Sequence, residues 1–123
     1  NTVKTRFNIS SMGKLITAIL LMQLVEEELI NLDDPISMHL DFFEHPRADD
    51  ITVHHLLSHR SGLTDFFYEQ MEGRLDFFVS QREVLDHISK IELDFEPDNG
   101  FNYTNSGSLL LAEIIMKYRA NLT

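Results

Sequence analysis

The residues Phe7-Asn8-Ile9-Ser10-Ser11-Met12-Gly13-Lys14 lead directly into an apolar run from Leu15 to Val25. Ser10 is a residue type that favours the N-cap, and the run behind it is apolar nearly all round. This pattern predicts a buried, central helix. Residues three apart are neighbours on a helix surface, so Ser11 and Lys14 should share one face close to the start of that helix.

A serine and a lysine in this arrangement can form an activated nucleophile. The first N–H groups of a helix lack helical acceptors and lie at the positive end of its dipole, so they can stabilise an oxyanion. A lysine held among apolar neighbours favours its neutral form, which can take the serine proton. The Ser-x-x-Lys spacing is a recognised signature of such chemistry. The same short pattern also arises by chance, which leaves an ordinary helix start as the alternative.

Composition limits the function classes that are open to the chain. Its 123 residues are 43% hydrophobic, enough for one domain with its own core, and we predict a single domain over residues 1–123. A formal net charge of −10 argues against nucleic acid or an anionic membrane surface as the main partner. The absence of cysteine excludes disulfides and a thiol nucleophile. Because the candidate nucleophile comes so early, we expect a piece of a longer protein.

Helix and turn signals continue along the rest of the chain. We expect the first helix to extend to Asp33-Asp34-Pro35, where the proline stops it. Thr52 should cap a short second helix, and Gly62 should supply the left-handed residue beyond its end. Apolar residues at helical spacing predict two further helices, Gln81 to Ile91 and Leu109 to Tyr118, the latter capped by Asn105 or Ser106.

Two groups of residues, a histidine pair and a set of phenylalanines, each allow a functional and a structural interpretation. His55 and His59 are four apart, but no glutamate follows His55 and no third ligand has motif spacing, so we predict packed or capping histidines and no metal. The phenylalanines at positions 66, 67, 77 and 78 could line an acyl pocket, but packing between helices is the favoured interpretation.

A tyrosine and an asparagine mark a second candidate position. Tyr103 and Asn105 are two apart where a loop, marked by Pro97 and Gly100, gives way to the last helix. At such a junction the two polar tips can project into one cleft. A turn tyrosine that is simply half buried is the alternative.

Four blocks of the chain, taken in order, resemble the serine β-lactamase and penicillin-binding superfamily. The resemblance is strongest to its class C branch and to the related D-alanyl-D-alanine carboxypeptidases and esterases. It covers nearly the whole chain. The blocks are Phe7 to Lys14 with Thr17-Ala18, Leu24 to Ile36, Ile51 to Leu63, and Phe101 to Gly107.

The resemblance implies a role for each candidate residue. Ser11 corresponds to the acylated nucleophile, and Lys14 to the lysine that takes or relays its proton. Tyr103 corresponds to the general acid or base near the leaving group, and Asn105 to the asparagine that orients the substrate amide and the lysine. The implied fold is mainly α: the helical subdomain of a β-lactamase-like α/β sandwich, with the flanking sheet largely absent.

The chain departs from the family pattern at two points. Pro97-Asp98 stands where the family usually has Pro-Gly, and no strand with a Lys- or His-x-Gly triad follows Asn105. We therefore expect the 123-residue chain to be almost inactive by itself. We also expect it to expose an apolar face, through which it self-associates or forms a swapped dimer.

The resemblance also implies an activity. The longer protein is expected to be a cofactor-free serine hydrolase located outside the cytoplasm, as in a periplasm. Its substrate would be a β-lactam, a stem peptide or a small ester. The alternatives are a penicillin-sensing or non-catalytic binding domain of the same fold, an esterase, and a plain helical interaction domain with a chance motif.

Overall fold

A computed structural model describes residues 1–120, and the single-domain prediction for residues 1–123 remains a prediction. The described residues form five α-helices joined by turns. The helices are α1 (Gly13–Glu26), α2 (Val53–Leu57), α3 (Phe66–Met71), α4 (Gln81–Ser89) and α5 (Asn105–Arg119), with short 3-10 turns at Ser10–Met12 and Ile36–Met38.

Strand structure is nearly absent from residues 1–120. Their β pairing is limited to an isolated antiparallel bridge between Pro35 and Thr52. The predicted mainly α class is therefore confirmed. No helix in this part of the chain has the length and apolar character needed to cross a bilayer.

Helix α5 is the central element, because α1, α2, α3 and α4 all pack against it. Its inward face is buried at Leu110, Leu111 and Ile114, where it meets apolar side chains from the other helices. The helix begins four residues before the predicted Leu109. Thr104, rather than Asn105 or Ser106, caps it by accepting the Gly107 N–H at 3.1 Å.

Helix α1 forms where predicted, but the prediction that it is buried is wrong. Leu21 and Leu24 are buried in the core. Leu15, Ile16 and Ile19 on its other side are 63%, 53% and 51% exposed. Apolar character favours burial only where another element lies across the face, and in residues 1–120 α1 packs along one side, chiefly on α5.

The start of α1 also differs from the prediction. Ser10 does not cap the helix, since its backbone is left-handed with φ of 46° and its N–H donates to Asn8 Oδ1 at 2.7 Å. Met12 occupies the N-cap position and has no side-chain cap. Ser11 therefore lies in the 3-10 turn immediately before α1, rather than in the first α-helical turn.

The end of α1 comes earlier than expected. Glu28 adopts a left-handed backbone with φ of 59°, and the helix stops at Glu26 instead of continuing to Asp33-Asp34-Pro35. Leu29 N donates to Leu24 O, and Glu28 N donates to Val25 O, both at 3.0 Å. This pair of bonds is a Schellman closure made without glycine, so composition gave no signal for it.

The cap of α2 is confirmed, but its end is not. Thr52 Oγ1 accepts the His55 N–H at 3.2 Å, and His55 Nδ1 accepts the Thr52 N–H at 3.1 Å. His59, with φ of 57°, takes the left-handed position beyond the helix that was assigned to Gly62. Gly62 also has a left-handed backbone, with φ of 81°. Its role is different, because a Cβ there would collide with the carbonyl oxygen of Phe95, so the position requires glycine.

Helix α4 follows its prediction closely. It begins at Gln81 and ends at Ser89, two residues before Ile91. Ser80 and Glu83 form a reciprocal capping box at its start. The inward positions Val84, Leu85 and Ile88 are buried as the spacing indicates.

The phenylalanine-rich segment is less buried than predicted. Phe66 packs against the core from a partly buried position. Phe67 and Phe77 are 50% and 54% exposed, and Phe78 is 98% exposed. The prediction that these side chains pack between helices therefore holds for Phe66 and is wrong for the other three. Phe67 lies on the exposed side of α3, and Phe77 and Phe78 lie in the turn between α3 and α4.

Candidate active site

Four predicted residues meet where the start of α1 faces the start of α5. Lys14 Nζ donates to Ser11 Oγ at 3.1 Å and to Asn105 Oδ1 at 2.7 Å. The same nitrogen lies 4.9 Å from the centroid of the Tyr103 ring. The structure thus brings Ser11, Lys14, Tyr103 and Asn105 together, although 91 positions separate Lys14 from Asn105.

The turn before α1 sets the position of Ser11. Gly13 begins the helix, and Lys14 follows it one residue later, so the lysine reaches back across three residues to the serine hydroxyl. Ser11 is exposed, whereas Lys14 is partly buried. A hydroxyl that is open to solvent and held by an amine is accessible to a reactant.

His59 anchors the segment that carries Tyr103. Its backbone oxygen accepts the Asn102 N–H at 3.0 Å, and its Nδ1 accepts the Thr104 N–H at 3.3 Å. The imidazole also packs on the Tyr103 ring, with the two centroids 4.6 Å apart. The sequence predicted a packed or capping histidine here, and His59 packs on the tyrosine while it ties the chain on either side of it.

The neighbours of Tyr103 shift the pKa of its phenol. Hydrogen bonding by Ser11, then by Lys14, lowers the pKa of Tyr103 below its usual value, and the Lys14 charge adds to this effect. Burial and the charge of Asp65 oppose it. The ring is 47% exposed. The group is therefore an accessible phenol that is biased towards its ionised form.

His59 is biased towards its neutral form. Burial is the main cause of its lowered pKa, and the nearby Lys14 charge contributes. Because Nδ1 accepts the Thr104 N–H, the imidazole must carry no proton on that nitrogen. The lowered pKa and the direction of this hydrogen bond both favour a neutral imidazole.

Asp65 completes the cluster, although no motif in the sequence marks it as a site residue. Its Oδ1 accepts the Asn105 N–H at 3.1 Å, and its Oδ2 accepts from Asn105 Nδ2 at 3.2 Å. It also caps α3 through the Phe67 N–H at 3.3 Å. The signal available in the sequence was an aspartate directly before an aromatic helical segment, which is an N-cap pattern.

Ser106 ties the same two segments together from within the core. Its side chain is fully buried. The hydroxyl donates to Thr64 O at 2.6 Å and accepts the Phe66 N–H at 2.8 Å. The residues on both sides of Asp65 are thereby fixed to the start of α5.

A half-open cavity of about 490 Å³ adjoins the cluster, and Asp65, Tyr68, Arg74 and Tyr103 are among its lining residues. Glu69, buried at its wall, accepts from Arg74 Nη2 at 2.7 Å and lies 3.1 Å from His87 Nε2. Hydrogen bonding by Arg74 is the main cause of its lowered pKa. The cavity therefore places charged side chains together with apolar surface beside the tyrosine.

The histidines and carboxylates of the described residues do not form a metal centre. No group of three His, Asp or Glu side chains in residues 1–120 is arranged to hold an ion. His55 serves the α2 cap, and His59 serves the Tyr103 segment. The arrangement can support proton transfer and nucleophilic attack with protein groups alone.

Residues 1–120 match the model of the protein family described as Beta-lactamase. The chain therefore belongs to the β-lactamase family, and the predicted resemblance is confirmed. The nearly strand-free architecture fits the helical subdomain of that fold, as predicted.

Individual relatives agree with this assignment. A teichoic acid D-alanine hydrolase of Staphylococcus aureus is 32% identical over 115 residues, which cover 94% of this chain and 27% of the relative. A crystal structure of a penicillin binding protein from Bacillus halodurans has a TM-score of 0.81 and 34% identity, covering 98% of this chain and 37% of that one.

A D-amino acid amidase from Ochrobactrum anthropi SV3, solved with L-phenylalanine, has a TM-score of 0.77 and 32% identity. The match covers 93% of this chain and 31% of the amidase. The chain thus spans less than two fifths of the length of each of these three relatives.

Proposed function

We propose that the protein containing this chain is a serine hydrolase that cleaves an amide or ester through an acyl-enzyme on Ser11. One observation carries the proposal: Lys14 Nζ contacts both Ser11 Oγ, at 3.1 Å, and Asn105 Oδ1, at 2.7 Å, beside the Tyr103 ring. A D-alanine hydrolase and a D-amino acid amidase among the relatives support hydrolysis as the reaction class.

Acylation uses Lys14 and Tyr103 as an acid–base pair. Lys14 donates to the oxygen of Ser11, which leaves the serine O–H free to donate towards Tyr103. The lowered pKa of Tyr103 favours the ionised form that can accept this proton. As the serine oxygen bonds to the substrate carbonyl carbon, its proton moves to Tyr103. The bond to the leaving group then breaks, and the leaving nitrogen or oxygen takes that proton.

Deacylation reverses these roles. A water molecule attacks the acyl carbon, and Tyr103 accepts one of its protons. The bond from Ser11 Oγ to that carbon breaks, and the proton returns to the serine. Throughout, Asn105 holds Lys14 through its amide oxygen. The family resemblance supports a second role for Asn105, that of orienting the substrate amide.

Replacement of Ser11 in the complete protein tests the proposal. Substrates would be a D-alanyl anilide, a chromogenic β-lactam and a p-nitrophenyl ester. Ser11→Ala should lower turnover by at least about 10³-fold, because the nucleophile is lost. Ser10→Ala is the matched control, since the Ser10 hydroxyl lies near Asn8 rather than Lys14, and it should keep most activity. Full activity of Ser11→Ala would refute the proposal.

A fluorescent penicillin, used together with these substrates and variants, separates the alternative functions. A fluorescent penicillin that labels Ser11 and is then released indicates an enzyme. Stable labelling without turnover favours the penicillin-sensing or binding domain. Turnover confined to the p-nitrophenyl ester favours an esterase. If Ser11→Ala and Lys14→Ala leave every activity unchanged, the motif is a chance pattern in an interaction domain.

The 123-residue chain itself should be almost inactive. Residues 1–120 contain no strand that could supply a second N–H to an oxyanion at Ser11. The loss of one such donor costs about 10²- to 10³-fold in rate. Measurable Ser11-dependent turnover by the purified chain would contradict this expectation.

Self-association of this chain is expected through the exposed face of α1. Leu15, Ile16 and Ile19 expose more than half of their surface there. Contiguous apolar surface of this kind favours contacts with other molecules. Light scattering should show a species larger than a monomer, and Ile16→Glu should dissociate it. A monomer at high concentration would contradict the expectation.

A further inference from the structure

We propose that Asp65 is a positioning residue, which fixes the Asn105 amide so that its oxygen faces Lys14 and so holds the lysine against Ser11. The inference rests on the proposed function, because it concerns the groups that would perform the reaction. Asp65 itself has no role in the predicted Ser-x-x-Lys and Tyr-x-Asn motifs.

The two ends of the Asn105 amide have different hydrogen-bond partners. The oxygen accepts from Lys14 Nζ at 2.7 Å. The nitrogen donates to Asp65 Oδ2 at 3.2 Å and to Oδ1 at 3.4 Å. A lysine ammonium can only donate, and a carboxylate can only accept, so each neighbour matches one end of the amide.

The opposite orientation of the amide is excluded by the same two neighbours. If the amide turned over, its NH₂ would face the Lys14 ammonium, and its oxygen would face the Asp65 carboxylate. Both contacts would be repulsive, since donor meets donor and acceptor meets acceptor. Asp65 therefore selects the orientation in which Asn105 can accept from Lys14.

Asp65 can perform this task because its own position is fixed. Its Oδ1 accepts the backbone N–H groups of Phe67 and Asn105, at 3.3 and 3.1 Å. The residues on either side, Thr64 and Phe66, are both hydrogen-bonded to the buried Ser106 hydroxyl. The carboxylate is thus held to the start of α5 independently of its contact with the Asn105 side chain.

The test is Asp65→Asn in the complete protein. An asparagine keeps an oxygen for the Phe67 and Asn105 N–H groups and remains a good N-cap, but it places an NH₂ against Asn105 Nδ2. We expect kcat to fall about 10- to 100-fold, as for a lost hydrogen bond to a charged group, with KM changed less than about threefold.

A double-mutant cycle distinguishes positioning from a general structural effect. If Asp65 acts through Asn105, Asp65→Asn should cause almost no further loss of kcat in an Asn105→Ala background. Losses that multiply would overturn the proposal. Asp86→Asn is the matched control, because it removes one carboxylate from an exposed pair with Lys90, and it should retain wild-type kcat.

Two further variants separate a failure to fold, and a failure of the proposed function, from a failure of this inference. If Asp65→Asn fails to fold, Asp65→Ser retains a helix cap but has one acceptor oxygen in place of two, and the same loss of kcat is expected. Ser11→Ala is assayed in parallel. Loss of activity in Ser11→Ala with wild-type kcat in Asp65→Asn would overturn this inference alone, whereas activity in Ser11→Ala would overturn the proposed function.

Discussion

The two ends of α5 carry the same kind of side chain in opposite environments. Tyr103, just before the helix, is 47% exposed and lies against Lys14. Near the other end, the Tyr118 hydroxyl lies 2.7 Å from Nδ1 of His39, whose Nε2 lies 2.9 Å from Asp34. His39 is only 2% exposed. Both phenols belong to polar networks, but Tyr103 is exposed whereas Tyr118 is partly buried.

The charges that face the two phenols also differ. Hydrogen bonds from Ser11 and Lys14 lower the pKa of Tyr103. Burial and the carboxylate of Asp34 raise the pKa of Tyr118. The direction in which the pKa of each phenol is shifted thus depends on its burial and on the sign of the neighbouring charge, and not on its residue type.

The largest expected contrast is in catalysis. Tyr103→Phe in the complete protein should lower kcat about 10²- to 10⁴-fold, the usual contribution of a general acid or base. Tyr118→Phe should leave kcat within about threefold of the wild type. Steady-state kinetics with the three substrates above would check both. Equal losses of kcat in the two variants would contradict the expected difference between the two tyrosines.

The two substitutions should rank in the opposite order by their effect on the free energy of unfolding. Tyr118→Phe removes the hydroxyl partner of the buried His39, so the free energy of unfolding should fall by about 1 to 3 kcal/mol. Tyr103→Phe should change it little, since its hydroxyl is not needed to satisfy a buried group. Urea unfolding of both variants measures the difference, and a larger loss in Tyr103→Phe would contradict it.

Tyrosine ionisation should separate the two phenols directly. Absorbance during an alkaline titration should show Tyr103 ionising below its usual value of about 10 and Tyr118 above it. Lys14→Ala should move the first step upwards and leave the second unchanged. The pKa of Tyr103 is lower in the folded chain than in the unfolded chain. Ionisation of Tyr103 therefore contributes to stability in full above about pH 10, and this contribution is lost as the pH falls through the folded pKa. The variants Tyr103→Phe and Tyr118→Phe identify which ionisation step belongs to which tyrosine.

The smallest expected effect concerns His59. Its folded pKa is lowered by burial and by Lys14, so its contribution to stability is complete above about pH 6.5 and is lost as the pH falls through the folded value. Protonation at Nδ1 would also break the bond from the Thr104 N–H. NMR titration should give a value below 6.5 that rises in Lys14→Ala. A value above 6.5 in the wild type would contradict the prediction.

The sequence predicted the features that depend on short spacing. The pairs Ser11 with Lys14 and Tyr103 with Asn105 were visible because each spans two or three residues. Their meeting in space followed from the family resemblance and not from residue patterns. The Thr52 cap was predictable for a similar reason, since it depends on one turn of backbone.

Features that depend on distant partners were missed. Asp65 has a role only once α5 brings Asn105 against it. The exposure of Ile16 depends on what lies across α1, which the local apolar pattern does not reveal. The left-handed residues Glu28 and His59 end helices without glycine, so composition placed the end of α1 too late and assigned the turn after α2 to Gly62.

The contact between Lys14 and Asn105 has a practical consequence. It joins residues 91 positions apart, so neither half of the chain contains the cluster by itself. A reagent that attacks only the activated serine should therefore report on molecules in which α1 and α5 are docked. The labelled fraction, followed through a denaturant series, would serve as a gauge of native population that is independent of spectroscopy.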